Sequence, residues 1–389
     1  MGGPLRVATQ SVPWIQVRSV AGPSTDFAQP LGAADAAFRT GEFRKPLSTF
    51  TIENRLLPPY VMNWNFGIQR RLAGNIVEVR YVGTKGTRLP RFVEGNPAVY
   101  QPGATSANAD RRRIYAGCPP EGGACTFGHM GLVTGSTNST YHAAQAGFRR
   151  DLAPLRVQIS YTFSKLLDYV SSLHLAGPAP LLISGENDVA QNPFNLRAEH
   201  GPSLFDARHR LVANFSYEAP TLPAAAPRWV RAVARGWQLH GILVTSTATP
   251  FTVYDSRNVS LQAPHPPLSG VFASRPDAVS NPNLGPRTRE QWMPREAFRR
   301  LDAVLEAGRF GNAGRNIMRG PGMASLDASL TRWFTLTERA RLQVRLESFN
   351  VSNFTNLGLP VNDLVSPNFG RILEAGPPRL FQAALKLAF

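Results

Sequence analysis

Leu155-Arg156-Val157-Gln158-Ile159-Ser160-Tyr161-Thr162-Phe163-Ser164 places an apolar or aromatic residue at every odd position and a polar one at every even position. Successive side chains of an extended strand point to opposite sides, so this run has one greasy face and one wet face. A helix would spread the same residues around its circumference.

The same alternation recurs on both sides of this run. Trp64, Phe66 and Ile68 alternate with Asn63, Asn65 and Gln69, and Leu211, Ala213, Phe215 and Tyr217 with Arg210, Asn214 and Ser216. Later, Leu326, Ala328 and Leu330 alternate with Asp327, Ser329 and Thr331, and Leu342, Val344 and Leu346 with Arg341, Gln343, Arg345 and Glu347. About nine such strands are expected between Tyr60 and Phe389. Helical periodicity is weak, and the expected helices are Pro227 to Arg235 and Arg295 to Ala307.

A soluble sandwich would also show one apolar and one polar face per strand, so the connections carry the decision. Short links (Leu72 to Gly74, Asp151 to Pro154, Thr335 to Arg339, and the intermediate Glu218 to Gly236) alternate with long ones. The long ones are Arg91 to Ser139, Leu166 to Ala207, Asp255 to Gly322 and Asn353 to Pro378. Outer-membrane barrels have short periplasmic turns and long outer loops in that order. The fold class is therefore all-β: an antiparallel meander forming part of an outer-membrane β-barrel. With short links periplasmic, the first strand begins outside, and an odd count leaves one strand owed upstream. Trp14 to Val20 is expected to supply it, so that about ten strands are visible. Residues 1–50 read as an irregular lead-in carrying that strand, and 51–389 as the carboxy-terminal portion of the barrel.

The last ten residues put Phe381, Ala383, Leu385, Leu387 and the terminal Phe389 on one face. Edge strands of soluble proteins are blunted with charge or Pro instead. A terminal aromatic on an amphipathic strand is similar to the signal outer-membrane proteins present to the barrel assembly machinery, and Phe389 is the candidate for it. Tyr60, Trp64, Tyr81, Tyr141, Tyr217, Trp237 and Trp333 are candidates for interfacial girdles, with core aromatics of a soluble protein as the alternative.

The net charge of +16 would suit nucleic acid, but only Lys45, Lys85, Lys165 and Lys386 among the 42 basic residues are Lys. The Arg residues are scattered apart from Arg111-Arg112-Arg113. A general Arg preference or a basic barrel lumen accounts for that spread better than a nucleic-acid stripe, so no nucleic-acid partner is expected. Cys118 and Cys125 flank a Pro/Gly-rich stretch and suit a disulfide in an oxidising compartment.

No catalytic constellation emerges, and no cofactor or metal is expected. The seven histidines lack ligand spacing. Asp206, Arg208 and His209 read as a hydrogen-bonded strand entry, and Gly83-Thr84-Lys85-Gly86-Thr87 as turn chemistry. Lumen-facing Arg156, Gln158, Arg341, Arg345 and Glu347 are the candidate solute contacts, with plain lumen filling as the alternative.

Several segments together resemble the barrel of the Oar-like TonB-dependent transporters across Thr51 to Phe389. They are Pro59-Tyr60-Val61-Met62-Asn63-Trp64-Asn65, Tyr81-Val82-Gly83-Thr84-Lys85-Gly86-Thr87, Tyr161-Thr162-Phe163-Ser164-Lys165, Phe205-Asp206-Ala207-Arg208-His209-Arg210 and Gly236-Trp237-Gln238-Leu239. Phe310-Gly311-Asn312-Ala313-Gly314-Arg315-Asn316, Glu347-Ser348-Phe349-Asn350-Val351 and Pro367-Asn368-Phe369-Gly370-Arg371-Ile372 follow. The resemblance implies a barrel of about 22 strands with an amino-terminal plug, residence in outer-membrane lipid, and energy from a TonB-type coupling protein. Plug, coupling box and signal peptide are not recognisable, so a truncated or mis-started receptor element is expected, admitting a bulky solute. The rivals are a non-transporting surface adhesion barrel and a soluble basic β-protein binding nucleic acid.

Overall fold

A computed structural model describes residues 45–171, 190–220, 234–262 and 274–389, together with residues 223, 227 and 230. In chain order the strands are β1 (Leu47–Ile52), β2 (Tyr60–Leu72), β3 (Asn75–Glu94), β4 (Phe127–Leu152), β5 (Leu155–Asp168), β6 (Gly201–Pro202), β7 (His209–Glu218), β8 (Trp237–Ser246), β9 (Pro250–Phe251), β10 (Asp277–Ala278), β11 (Phe298–Arg299), β12 (Met318–Arg319), β13 (Met323–Thr335), β14 (Arg341–Phe349) and β15 (Leu380–Ala388). The nine long ones form a meander in the order β15-β14-β13-β8-β7-β5-β4-β3-β2. Every neighbouring pair is antiparallel. These are the nine alternating segments expected from the sequence. The upstream candidate Trp14 to Val20 lies outside the described residues. In addition, β1 runs parallel to the start of β4, pairing Leu47 with Phe127 and Ile52 with Val133, and it straddles the expected 50/51 boundary.

Turn chemistry explains the short links. Between β2 and β3 only Ala73 and Gly74 intervene, both at positive φ (46° and 81°), the backbone of the mirror-image turns that match the twist of paired strands. β4 passes to β5 through Ala153 and Pro154, and β13 to β14 through 336–340.

At the opposite end the long connections span 95–126, 169–208, 247–322 and 350–379. The first is shorter than the Arg91 to Ser139 expected, because β3 and β4 run on to 20 and 26 residues. A hydrocarbon layer needs only about 9–11 tilted residues, so this hairpin projects beyond β2 and β5 on the loop side, where β1 pairs with it. A register shift between Gly86 and Arg91 obscures the period-two pattern there.

Register sorts the two faces. Across β5, β7, β8 and β13, Ile159, Ala213, Leu243 and Leu326 are neighbours on one face. On the other face Gln158, Asn214, Ile242 and Asp327 are neighbours. Ring contacts knit the apolar face: a Cβ on Gly241 would fall 2.3 Å from the Phe215 ring, so the missing side chain is what lets Phe215 lie across β8. Two expected girdle residues fall on the wet face instead, Tyr141 opposite Thr84 and Trp333 opposite Gln343. Strand-end position made them candidates, but parity along the strand decides the face.

The buried hydrophobic cluster is elsewhere. Phe251, Val253, Met293, Ala297, Phe298, Met318, Leu364 and Phe369 pack together, all from the long connections after β8 and after β14. These connections form a cap at the loop end of the sheet. Arg295 to Ala307 is not the expected helix: it is a short 3-10 turn, Arg295–Ala297, followed by β11 and turns. The Asp302 side chain accepts the backbone N–H groups of Val304 and Leu305 at 2.8 Å, a local bond that competes with the helical ladder. The other expected helix, Pro227 to Arg235, lies largely outside the described residues.

Candidate functional site

Among the described residues, two of the regions that hold chemistry-bearing side chains are the wet face of the sheet and the cap; a third is the loop end of the β3–β4 hairpin, where Glu94, His129, Arg113 and Asp110 pair. On the wet face, near the short-link end, Arg156 pairs with Asp151 at 3.3 Å and with Glu218 at 3.1 Å, and Arg149 pairs with Asp151 at 3.2 Å. Gln158 lies opposite Arg149 and Asn214. Arg345 and Glu347 on β14 pair at 3.4 Å, and Arg341 sits opposite Thr335 and Ala388. β7, β8 and β13 separate the β5 candidates from those on β14. The five candidates therefore share one face without converging on one ligand-sized point.

The cap is held by buried charges. Arg275 donates from both terminal nitrogens to Glu199, at 2.8 and 3.1 Å, and both side chains are almost fully buried. Fork-to-fork geometry of this kind is the strongest that Arg and carboxylate make. Arg315 ion-pairs with Asp168 at the end of β5 and donates to the carbonyls of Asp168 and Glu199 at 2.8 and 2.7 Å. Asn316 reaches Thr252 and the Pro202 carbonyl, and Arg319 ion-pairs with Asp206. Asp206 also accepts the Leu166 N–H at 2.7 Å, so it ties the entry of β7 to β5 and to the cap at once.

A second knot joins Asp277, Arg299, Glu306 and Arg309. Arg309 reaches Asp277 at 2.8 and 3.0 Å and Glu306 at 2.7 Å. Burial alone would raise the Asp277 carboxyl, but the bonds from Arg309, the Asn312 N–H and Arg299 outweigh it and hold the group below its ordinary range. Arg299, with the Asp302 N–H, brings Glu306 down to about 2.

The sequence had marked Asp206 and the segment Phe310 to Asn316 but not their partners. Asp168, Glu199 and Arg275 carry no local motif. The only hint was that Arg residues recur inside loops otherwise rich in Pro, Gly and Asn. Cys118 and Cys125 form a disulfide in the loop between β3 and β4. Phe389 follows β15, whose Phe381, Ala383, Leu385 and Leu387 share the apolar face with Ser348, Leu346, Val344 and Leu342. Among the described residues no group of three or more His, Cys, Asp or Glu is arranged to hold a metal ion.

A family model described as an outer membrane beta barrel domain matches residues 4–382. No curated protein matches the chain. Among solved structures, the outer membrane transporter YddB from Escherichia coli is similar with a TM-score of 0.46 and 10% identity, over 88% of this chain and 34% of that one. FpvA of P. aeruginosa bound to heterologous pyoverdines is similar with a TM-score of 0.35 and 14% identity, over 86% and 27%. The siderophore receptor PirA from Acinetobacter baumannii is similar with a TM-score of 0.37 and 10% identity, over 86% and 32%. The matched region thus spans about a third or less of those chains.

Proposed function

The chain belongs to the outer membrane beta barrel domain family, and from that premise we propose that it is the wall and cap of an outer-membrane receptor that admits a bulky solute. An oligosaccharide, a peptide or a metal chelate fits that description. The observation that carries the reading is the cap. Long outer loops that served only as spacers would not bury Phe251, Val253 and Met318 completely or bring together Arg275 and Glu199 from distant connections. An ordered surface above a wet, charge-lined wall suits solute selection.

In this reading residues 51–389 are the carboxy-terminal portion of a larger wall. Among the described residues β2 and β15 each have one long-strand neighbour in the sheet, and hydrocarbon tolerates no unpaired strand edge, so on this reading further strands complete the wall. In the same reading β15, with Phe389 following it, is the segment offered to the assembly machinery. Coupling to a TonB-type partner belongs to the proposal where a plug accompanies the wall. Arg156, Gln158, Arg341, Arg345 and Glu347 supply polar contacts along the passage.

The test begins with the outer-membrane fraction, where a heat-modifiable band is expected. Growth of strains with and without the protein is then compared on limiting oligosaccharide, peptide or ferric chelate. Loss of uptake of one class supports the receptor. Unchanged uptake of all three with loss of surface attachment would replace it with the adhesion reading.

A further inference from the structure

A groove of about 650 Å³ opens where the cap overhangs the apolar face of the sheet. Its floor is the row Tyr161, Leu211 and Thr245, register neighbours on β5, β7 and β8. The rows toward the short-link end continue with Ile159, Ala213 and Leu243, then Val157 and Phe215. This is the face that meets lipid. Its roof is Arg287, Trp292 and Arg319 of the cap. The groove therefore lies at the outer edge of the bilayer, with hydrocarbon on one side and the outer loops on the other.

The charges in the roof are not equivalent. Arg319 is matched by Asp206. Arg287 donates to the Arg319 carbonyl at 2.8 Å and to the Asn283 carbonyl and side-chain oxygen at 3.0 and 3.2 Å, all neutral acceptors. Among the described residues no carboxylate lies within ion-pair distance of it. Among the described residues three of its five N–H donors are engaged, which leaves two. Burial lowers its pKa, as expected for a cation partly withdrawn from water without an anion. The Trp292 ring lies 5.2 Å from the guanidinium carbon, and its indole N–H donates to the Arg319 carbonyl at 2.8 Å. Arg287 is thus held at a positive φ of 58° in a fixed position above an apolar floor. Nearby, the Tyr161 hydroxyl and His209 Nδ1 are hydrogen-bonded at 2.7 Å.

We propose that this groove binds an outer-leaflet lipid by its headgroup phosphate, with Arg287 as the phosphate-binding residue and the acyl chains lying along Leu211, Ile159, Ala213 and Leu243. A guanidinium with unused donors suits phosphate oxygens, and the apolar rows below suit only a ligand that continues as hydrocarbon. A soluble anion would use the first feature and waste the second. The bound lipid clasps the cap to the wall at the membrane surface.

The full chain is extracted from membranes in mild detergent and its bound lipid read by native mass spectrometry, with lipid A and its dephosphorylated form as the added probes. Lipid A is expected to be retained about tenfold better than the dephosphorylated form, the size of one charge-assisted contact. Arg287→Gln should abolish that preference and Arg287→Lys restore most of it, with the protease pattern of the cap unchanged. Equal retention of the two lipids by the wild type overturns the proposal, and so does an unaltered preference in Arg287→Gln. Displacement of lipid A by inorganic phosphate at equal concentration overturns the lipid assignment in favour of a plain anion site. If Arg287→Gln does not accumulate, the two lipids on the wild type decide alone.

Discussion

The sheet and the cap dispose of their apolar atoms in opposite ways. In the cap, Phe251, Val253 and Met318 are 0% exposed, whereas in the sheet Phe66 and Phe381 are each 69% exposed and Leu385 is 73% exposed. Their ion pairs differ in the same sense. Arg149 and Asp151 on the sheet are more than half exposed, but Arg275 and Glu199 in the cap are nearly sealed from solvent. The cap is built like a small water-soluble domain that closes its own core. The sheet has half a core, and the bilayer supplies the rest. One chain therefore carries two stabilities set by two solvents.

The sharpest way to break that contrast is Phe251→Ala. Removing a fully buried ring leaves a cavity that costs about 3–5 kcal/mol. Amide exchange across 247–319 should rise steeply, while heat-modifiable gel mobility of the sheet is unchanged. If the heat-modifiable band is lost as well, the two regions fold as one unit. The converse variant is Leu243→Arg, which puts a charge on the lipid face between Ala213 and Leu326. The expected cost is about 2–4 kcal/mol near the middle of the bilayer, read as a lowered unfolding midpoint in vesicles, with exchange in the cap unaffected.

The same division explains what was legible in the sequence. A strand between lipid and water must alternate at every residue, so Leu155 to Ser164 declares its own structure and faces. Among the nine long strands, the vestibular ends of β3 and β4 escaped, because outside the bilayer nothing enforces alternation past Gly86. The cap obeys no such local rule. Arg315 pairs with Asp168 across 147 residues and Arg275 with Glu199 across 76, and no periodicity links such positions. Tyr141 and Trp333 were misplaced for a related reason: aromatic identity marks a strand end, but one residue of parity moves a side chain from lipid to lumen.

Acid should distinguish the regions more gently. Glu306 is depressed to about 2, chiefly by Arg299, from an ordinary value near 4.5. A lowered carboxylate contributes stability that is complete above the unfolded value and is lost as pH falls through the folded one. The contribution of this knot is therefore present above about pH 4.5 and drains away toward about pH 2. Pepsin, active in that window, should begin to cut between Arg299 and Arg309 as pH falls, and Glu306→Gln should make those cuts appear already at the upper end of it. Cleavage that is independent of pH across the window would show that the knot does not hold the segment.

The smallest effect is expected at Arg156, where it separates function from stability. Its pairs with Asp151 and Glu218 are exposed on the wet face, and such pairs are worth about 0–1 kcal/mol. Arg156→Gln should leave the unfolding midpoint of the wall within that margin. If Arg156 serves the passage, uptake of the transported solute falls even though the wall is equally stable. If it only fills the lumen, neither quantity moves. Doubling the change with Arg345→Gln sharpens the outcome, because β7, β8 and β13 lie between the two residues. Side chains so far apart should have additive effects on stability. A more than additive loss of uptake would then mean that one bulky solute touches both sides of the passage.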